Sequence, residues 1–484
     1  MDVNGFAAQR IVKIRRDYNT WVANETLEDY ALRFTPRAFR KWSPFRVANT
    51  AIGAVSFLAL EAIGGAIALA YGFTNALIAI LVVGLIIFLT GLPISYYAAR
   101  YGLDMDLLTR GAGFGYIGST VTSLIYASFT FIFFAIEAAI MAMALQLYLD
   151  ISLPLGYLLS SLVIIPLVAY GITLISRLQL WTQPVWLALL VLPYLAVWLK
   201  EPQLYGEFTR FEGGAQRAGF DWMLFGAAAT IAFSLIAQIG EQVDFLRFLP
   251  EKTRANRRGW WGAILLSGPG WIVPGMLKQL GGAFLAFLAF RYGIETARAV
   301  EPTQMYLVGF SYVWSDPALA VAATALFVIV SQVKINVTNA YAGSLAWSNF
   351  FARLTHSHPG RVVWLVFNVL IALGLMLLGV FEALEHVLGF YSNVAIAWVG
   401  ALVSDLVVNK PLGLSPKGIE FKRAHLYDIN PVGVGSMLIA SLLGMSAYLG
   451  LYGELAQAFA PFISLASAFV CAPAIAVATK SRYY

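Results

Sequence analysis

Apolar runs about twenty residues long, separated by short polar stretches, recur along the whole chain. They fall at about 48–71, 73–99, 116–148, 152–173, 179–199, 222–241, 260–290, 318–349, 362–381, 384–408, 433–452 and 458–479. A helix of roughly 20 residues crosses a hydrocarbon core about 30 Å thick, so the pattern predicts twelve membrane-spanning helices. A β-barrel would show short alternating segments, and none dominates here. The expected fold class is an all-α integral membrane protein. Its expected parts are a segment 1–47, a ten-helix core 48–408 with halves 48–199 and 222–408, a loop 409–432, and helices eleven and twelve with a short tail in 433–484.

Composition agrees with that reading. Apolar residues make up 60% of the 484 and charged ones 12%, against about 25% charged in soluble domains. With twelve spans, the loops on the side of the termini hold 25 of the 32 Lys and Arg, and the opposite loops hold five. Positive residues mark the cytoplasmic side, which predicts a cell (inner) membrane protein with both termini in the cytoplasm. Topology thus accounts for the net charge of +6, and no nucleic acid partner is expected. The first 47 residues contain no apolar core of a cleavable signal. The single Cys471 excludes a disulfide framework.

Several motifs carry little. The sequons at Asn24 and Asn336 fall on predicted cytoplasmic and intramembrane positions. Gly111, Gly113 and Gly115 lack the strand a phosphate loop needs. His356, His358, His386 and His425 lack paired ligand spacing, and no nucleophile–base constellation is apparent. No enzyme activity, cofactor or metal site is expected.

The informative residues are charges at membrane depth, which are costly and functional by default. Glu61 lies in the first segment, Glu137 in the third and Lys334 in the eighth; Lys278 also falls within an apolar run. Glu241 and Asp244 close the sixth segment, where an interfacial and an intramembrane position are both open. For Glu137 a salt bridge or a protonated carboxyl is the plain alternative, and for Lys334 it is snorkelling to an interface. Small and helix-breaking residues sit near the same depth: Gly53, Ser56, Gly64 and Gly65 in the first segment, and Ser234, Gln238 and Gly240 in the sixth. Interrupted helices are tolerated where they line a cavity. Breaks in the first and sixth segments fit a five-plus-five inverted repeat that sets two discontinuous helices side by side at the midplane.

AARYGLDMDLLTRGAGFGYIGS (98–119) resembles the loop between helices two and three of the nucleobase:cation symporter-1 family, which includes cytosine permeases and hydantoin transporters. VDFLRF (243–248) is similar to the end of its sixth helix, NVTNAYAGSLAW (336–347) to its eighth, and GFYSNVAIAWVGALVSDLVVNK (389–410) to its tenth. The resemblance implies the five-plus-five (LeuT-like) fold and uptake of a nucleobase or related heterocycle with Na⁺ or H⁺. It places an aromatic platform at Phe133 and a hydrogen-bonding position one turn later at Glu137. It also implies a helix-six wall at Ser234 and Leu235 beside Phe233, with Gln238 below. Amide partners follow at Asn336 and Asn339, and helix-one contacts near Gly53, Ser56 and Phe57. Independently, a flat heterocycle needs an aromatic face and a few polar groups matched to its edge.

Where the family pattern can carry glutamine, Glu137 only accepts hydrogen bonds when ionised. It therefore favours substrates with an amino edge or positive charge, and as a buried carboxyl it is a candidate proton carrier. In sodium-coupled members the ion sits between helix-one carbonyls and two helix-eight hydroxyls, and those two positions here are Lys334 and Ile335. Lys334 is thus expected to put its ammonium in the ion's place against the same carbonyls, making transport H⁺-coupled or Na⁺-independent. The expected partners are a small heterocycle, a coupling proton and the lipid bilayer; the sequence leaves the oligomeric state open. A carrier of an organic cation or amine, and a membrane sensor without transport, are the competing readings.

Overall fold

The computed structural model describes residues 17–18, 22, 24–32 and 34–484. Nine helices among these are long and apolar enough to cross a bilayer. One of them, Ala59–Tyr101, is broken at Gly72, whose φ of 78° lies in the left-handed region that glycine enters freely. Dividing it there, and adding the shorter apolar helices Leu153–Ala169 and Arg361–Leu377, makes twelve spans, as the hydropathy predicts. In chain order they are α1 (Pro44–Ile52 as α1a, 59–71 as α1b), α2 (73–101), α3 (Ser119–Leu149), α4 (Leu153–Ala169), α5 (Ile172–Lys200) and α6 (Trp222–Leu246). Then follow α7 (Arg257–Ser267 with Pro269–Arg291), α8 (Pro317–Leu354), α9 (Arg361–Leu377), α10 (Leu384–Asn409), α11 (Pro431–Tyr448) and α12 (Ala460–Ala478).

Local chemistry starts the spans. Ser43 accepts the Arg46 N–H at 3.2 Å ahead of Pro44. Asp221 accepts Met223 and Leu224 N–H groups at 2.8 and 3.1 Å at the head of α6. Asp316 does the same for Ala318 at 2.9 Å, before Pro317. These are side-chain caps on otherwise orphaned donors, with proline where no donor is needed. The largest boundary difference is at α5, which begins at Ile172 rather than 179. Ser176 and Gln179 lower the hydropathy there, yet both are buried against neighbouring spans.

α1 and α6 both lose regularity in the middle. After Ile52, α1 tightens to a 3₁₀ turn over Gly53–Ser56, Phe57 is extended (φ −60°, ψ 134°), and the α-helix resumes at Ala59. In α6, Phe233–Gln238 is 3₁₀ between Trp222–Ala232 (α6a) and Ile239–Leu246 (α6b). Around these breaks α3 lies along α8, and α1b packs on α7. A Cβ on Gly282 would come within 2.2 Å of Glu61 Cα, so α7 and α1b meet backbone to backbone, the close approach small residues permit in membranes.

On the terminal face, where α1 begins and α12 ends, residues 24–32 lace several spans together. Glu28 accepts the Thr173 N–H at 2.8 Å and hydroxyl at 2.5 Å. Asp29 accepts the Arg361 N–H at 2.8 Å, and the Arg361 guanidinium donates to Leu27 and Val168 carbonyls at 2.9 and 3.1 Å. Asp17–Tyr18 pairs in parallel with Ser357–His358.

Candidate functional site

A helix that stops leaves carbonyls without donors at one end and N–H groups without acceptors at the next start. Inside a membrane each must find a partner. At the break of α1 both sets are met by charged side chains from other spans. The Lys278 ammonium, from α7, donates to the Val55 carbonyl at 2.9 Å and the Phe57 carbonyl at 2.6 Å. The Glu137 carboxylate, from α3, accepts the N–H of Leu58 and of Ala59, both at 3.0 Å. A cation thus closes the end of α1a and an anion opens α1b, the signs that the helix dipoles favour. Glu61 extends the cluster: it lies 3.3 Å from Lys278 Nζ and accepts the Tyr306 hydroxyl at 3.0 Å.

Lys334 does not make the contact expected of it. Its ammonium donates to Gln179 Oε1 at 2.7 Å, Gln183 Oε1 at 3.0 Å and Thr182 Oγ1 at 3.1 Å, all on α5. The side chain leaves α8 on its α5 face, and Gln179 lies between it and Gly53, where an added Cβ would meet the Gln179 side chain at 2.3 Å. Lys278 instead engages helix-one carbonyls. Lys334 does not snorkel either; it is fully buried. The Trp186 ring sits near both ammoniums, 5.5 Å from Lys278 Nζ and 5.9 Å from Lys334 Nζ, within cation–π reach. Ser56 bridges the two spans by donating to the Ser331 carbonyl at 3.0 Å.

Phe133 and Phe57 come together edge to face, with centroids 6.1 Å apart, and Phe129 packs 4.5 Å from Phe133. An aromatic cluster therefore adjoins the break. On α8, Asn339 donates to Asn336 Oδ1 at 3.1 Å. Asn336 Nδ2 and Asn339 Oδ1 have no hydrogen-bond partner although buried, and the buried Gln332 amide makes no full hydrogen bond but lies in reach of the Glu137 carboxyl.

The α6 residues divide. Ser234 donates to the Ile231 carbonyl of its own helix at 2.7 Å, and Leu235 is buried. Phe233 turns away to meet Phe462 of α12 at 5.0 Å. Gln238 donates to Glu241 Oε2 at 2.8 Å. Glu241 and Asp244 are both buried within the protein, and Asp244 accepts the Tyr126 hydroxyl at 2.8 Å.

Sequence reasoning missed Lys278 as a participant, together with Tyr306, Trp186 and Gln332. The signal for Lys278 was present: a lysine inside an apolar run, within reach of a fold that also buries Glu61 and Glu137. Further out, a cavity of about 590 Å³ lies beside α1b and the segments 296–301 and 381–386. Its lining includes Glu301, Glu382 and Glu385 and no Lys or Arg.

Comparison with known structures identifies the fold. The chain superposes on Mhp1, a nucleobase-cation-symport-1 family transporter closed around bromovinylhydantoin, with TM-score 0.68 and 17% identity over 93% of this chain and 96% of that one. Inward-facing Mhp1 gives 0.67 and 18% over 93% of each chain. A substrate-bound, outward-open Na⁺-coupled sialic acid symporter gives 0.60 and 12% over 91% of each. No family model matches the sequence, and neither does any curated protein. The chain thus has the nucleobase-cation-symport-1 transporter fold, an all-α LeuT-like architecture with discontinuous helices one and six, and is a multi-pass membrane protein.

Proposed function

We propose that this protein is a secondary active transporter that imports a nucleobase or related nitrogen heterocycle by alternating access, without sodium. The observation that carries the reading is the Lys278 ammonium on the Val55 and Phe57 carbonyls at the break of α1. A like-charged ion is repelled there, and a hard cation would have to displace an amine already hydrogen-bonded to those oxygens. The Lys334 ammonium nearby adds to the same repulsion. With termini in the cytoplasm, as the distribution of basic loops predicts, α1b faces outward and α1a and α6b face inward.

In this reading Phe133 stacks on the heterocycle, with Phe57 at its edge. Gln332, Asn336 and Asn339 supply amide donors and acceptors, which buried polar atoms require of a ligand or of each other. A carboxylate offers about four lone-pair sites, and the α1b amides occupy two of those on Glu137. The remainder favour an amino-bearing edge, as in cytosine or adenine, over uracil or hydantoin. The three carboxylates of the outer cavity give a potential that draws positive solutes inward, which supports an organic cation as the second reading.

Uptake into proteoliposomes under imposed Na⁺ or pH gradients tests the proposal, with cytosine, adenine, uracil, hydantoin and a quaternary amine as competitors. Amino-bearing bases are expected to compete best and a Na⁺ gradient to have no effect. Strong stimulation by inward Na⁺, with no response to pH, would overturn the sodium-free assignment. Competition by the quaternary amine alone would select the second reading.

A further inference from the structure

We propose that Glu241 holds a proton in this conformation and releases it when the terminal-face half of the protein opens, which makes it the proton-coupling group. The inference rests on the transport reading above only for its second half.

The buried carboxyls differ in the partners they are given. Glu61 has Lys278 and Tyr306, and Glu137 has two N–H groups at a helix start. Asp104 has Arg247 at 3.3 Å and the Leu107 N–H at 2.8 Å. Asp106 has Arg353 at 2.5 Å and Arg110 at 2.9 Å. Asp405 has Lys410 at 3.4 Å and the Tyr484 hydroxyl at 2.5 Å. Asp244 has the Tyr126 hydroxyl, with Arg247 in electrostatic reach. Glu241 is fully buried, and its sole hydrogen bond among the described residues is the neutral Gln238 amide on one oxygen; the other oxygen has no partner.

Among the described residues no cation compensates a negative charge on it; the start of α6b supplies only a partial helix-end charge. The charged groups that act on it are Asp244 and Glu137, both acidic. From the elements packed on α6b, other ionisable groups are already engaged. Lys278 of α7 is on the α1 break, Lys334 of α8 is on α5, and Arg46 of α1a donates to Ser176. Tyr341 of α8 and Asp104 both take Arg247, and Arg100 of α2 donates to Tyr96. Arg257 and Arg258 of α7 are exposed. A carboxylate buried without a cation neutralises by taking a proton.

Glu241 also stands in the first turn of α6b, which packs on α1a, the other half-helix on the inner side of a break. When those halves part, water reaches the carboxyl. The O–H bond breaks, the proton passes to that water, and the carboxylate left behind is hydrated; the next proton is taken from water on the opposite side, when the outer halves α1b and α6a part, so that each cycle carries one proton across.

Infrared spectra of the full chain in detergent test the protonation. Wild type is expected to show a protonated-carboxyl C=O band that shifts in D₂O and with ¹³C-glutamate, and Glu241→Gln is expected to lack it. No such band in wild type, or an unchanged band in the variant, overturns the proposal. If Glu241→Gln does not fold, Glu241→Asp should move the isotope sensitivity from labelled glutamate to labelled aspartate, and a band still sensitive to glutamate alone overturns it. In proteoliposomes Glu241→Gln is expected to lose accumulation driven by a pH gradient at least tenfold while keeping exchange at equal pH. Undiminished pH-driven accumulation by the variant refutes coupling through Glu241. A wild type that transports no heterocycle removes the transport reading and leaves the infrared result to decide the protonation.

Discussion

Lys278 Nζ lies 2.6 Å from the carbonyl oxygen of Phe57 and 3.3 Å from Glu61 Oε2. Removing one partner of a buried charge pair costs about 3–5 kcal/mol, whereas replacing both can be close to neutral. Lys278→Met is therefore expected to lower thermal stability markedly and abolish uptake. Adding Glu61→Gln should recover much of the stability but not the uptake, because the α1 carbonyls still lack their donor. Thermal unfolding of the three variants in detergent checks this, and a double variant no better than Lys278→Met would refute the pairing.

Glu137 caps α1b with both oxygens. Glutamine can accept through one atom only and turns its NH₂ toward the second backbone N–H. An unsatisfied buried donor costs roughly 1–3 kcal/mol, so Glu137→Gln should weaken every heterocycle, and amino-bearing ones most. A competition profile weakened by one common factor would leave the carboxylate with its capping role alone.

Phe133 is placed by Phe57 and Phe129, which fix its ring beside the break. Aromatic stacking contributes about 0.5–1.5 kcal/mol beyond area burial. Phe133→Ala is thus expected to lose binding by several-fold or more, with Phe133→Trp retaining much of it. Equal binding by the alanine variant in purified protein would move the platform elsewhere.

Lys334 ties α8 to α5 through three side-chain oxygens. Lys334→Met strands the Gln179 and Gln183 carbonyl oxygens at about 1–3 kcal/mol each at most. The expected result is a lower unfolding temperature with Na⁺-indifference unchanged. A variant as stable as wild type would show that these bonds do not hold the spans together.

On the terminal face, burial pushes the Asp29 carboxyl up, but His358 at 3.2 Å and the Arg361 N–H outweigh it and hold it below its ordinary value. A carboxyl depressed in the folded chain stabilises above its unfolded value, about 3.9, and that stability is lost as pH falls through the lower folded value. Asp29→Asn should be less stable than wild type at pH 7, with the difference shrinking below about pH 4. Melting curves across that range decide it; a constant difference would exclude the ionic contribution.

The twelve spans were legible because each needs its own apolar run, and the breaks were legible in Gly53 and Ser56 and in Ser234 and Gln238. What hydropathy does not encode is which lysine meets the broken backbone. Lys334 sits one helix away from those carbonyls, but the direction its side chain leaves α8 depends on the crossing of α5, and on Gln179 filling the gap. Lys278 reaches them because α7 lies against α1b at Gly282, a tertiary contact between two glycine-bearing faces that no periodicity predicts.

A dissolved ion that binds at a helix break leaves with the cargo, and its own downhill movement supplies the work of accumulation. The Lys278 ammonium cannot leave: it is bonded to α7, which touches α1b backbone to backbone. It returns to its starting point with every cycle, so its net displacement across the membrane is zero and it draws nothing from any gradient. A protein built this way either lets its cargo run down the cargo's own gradient or needs another mobile charge to do the driving.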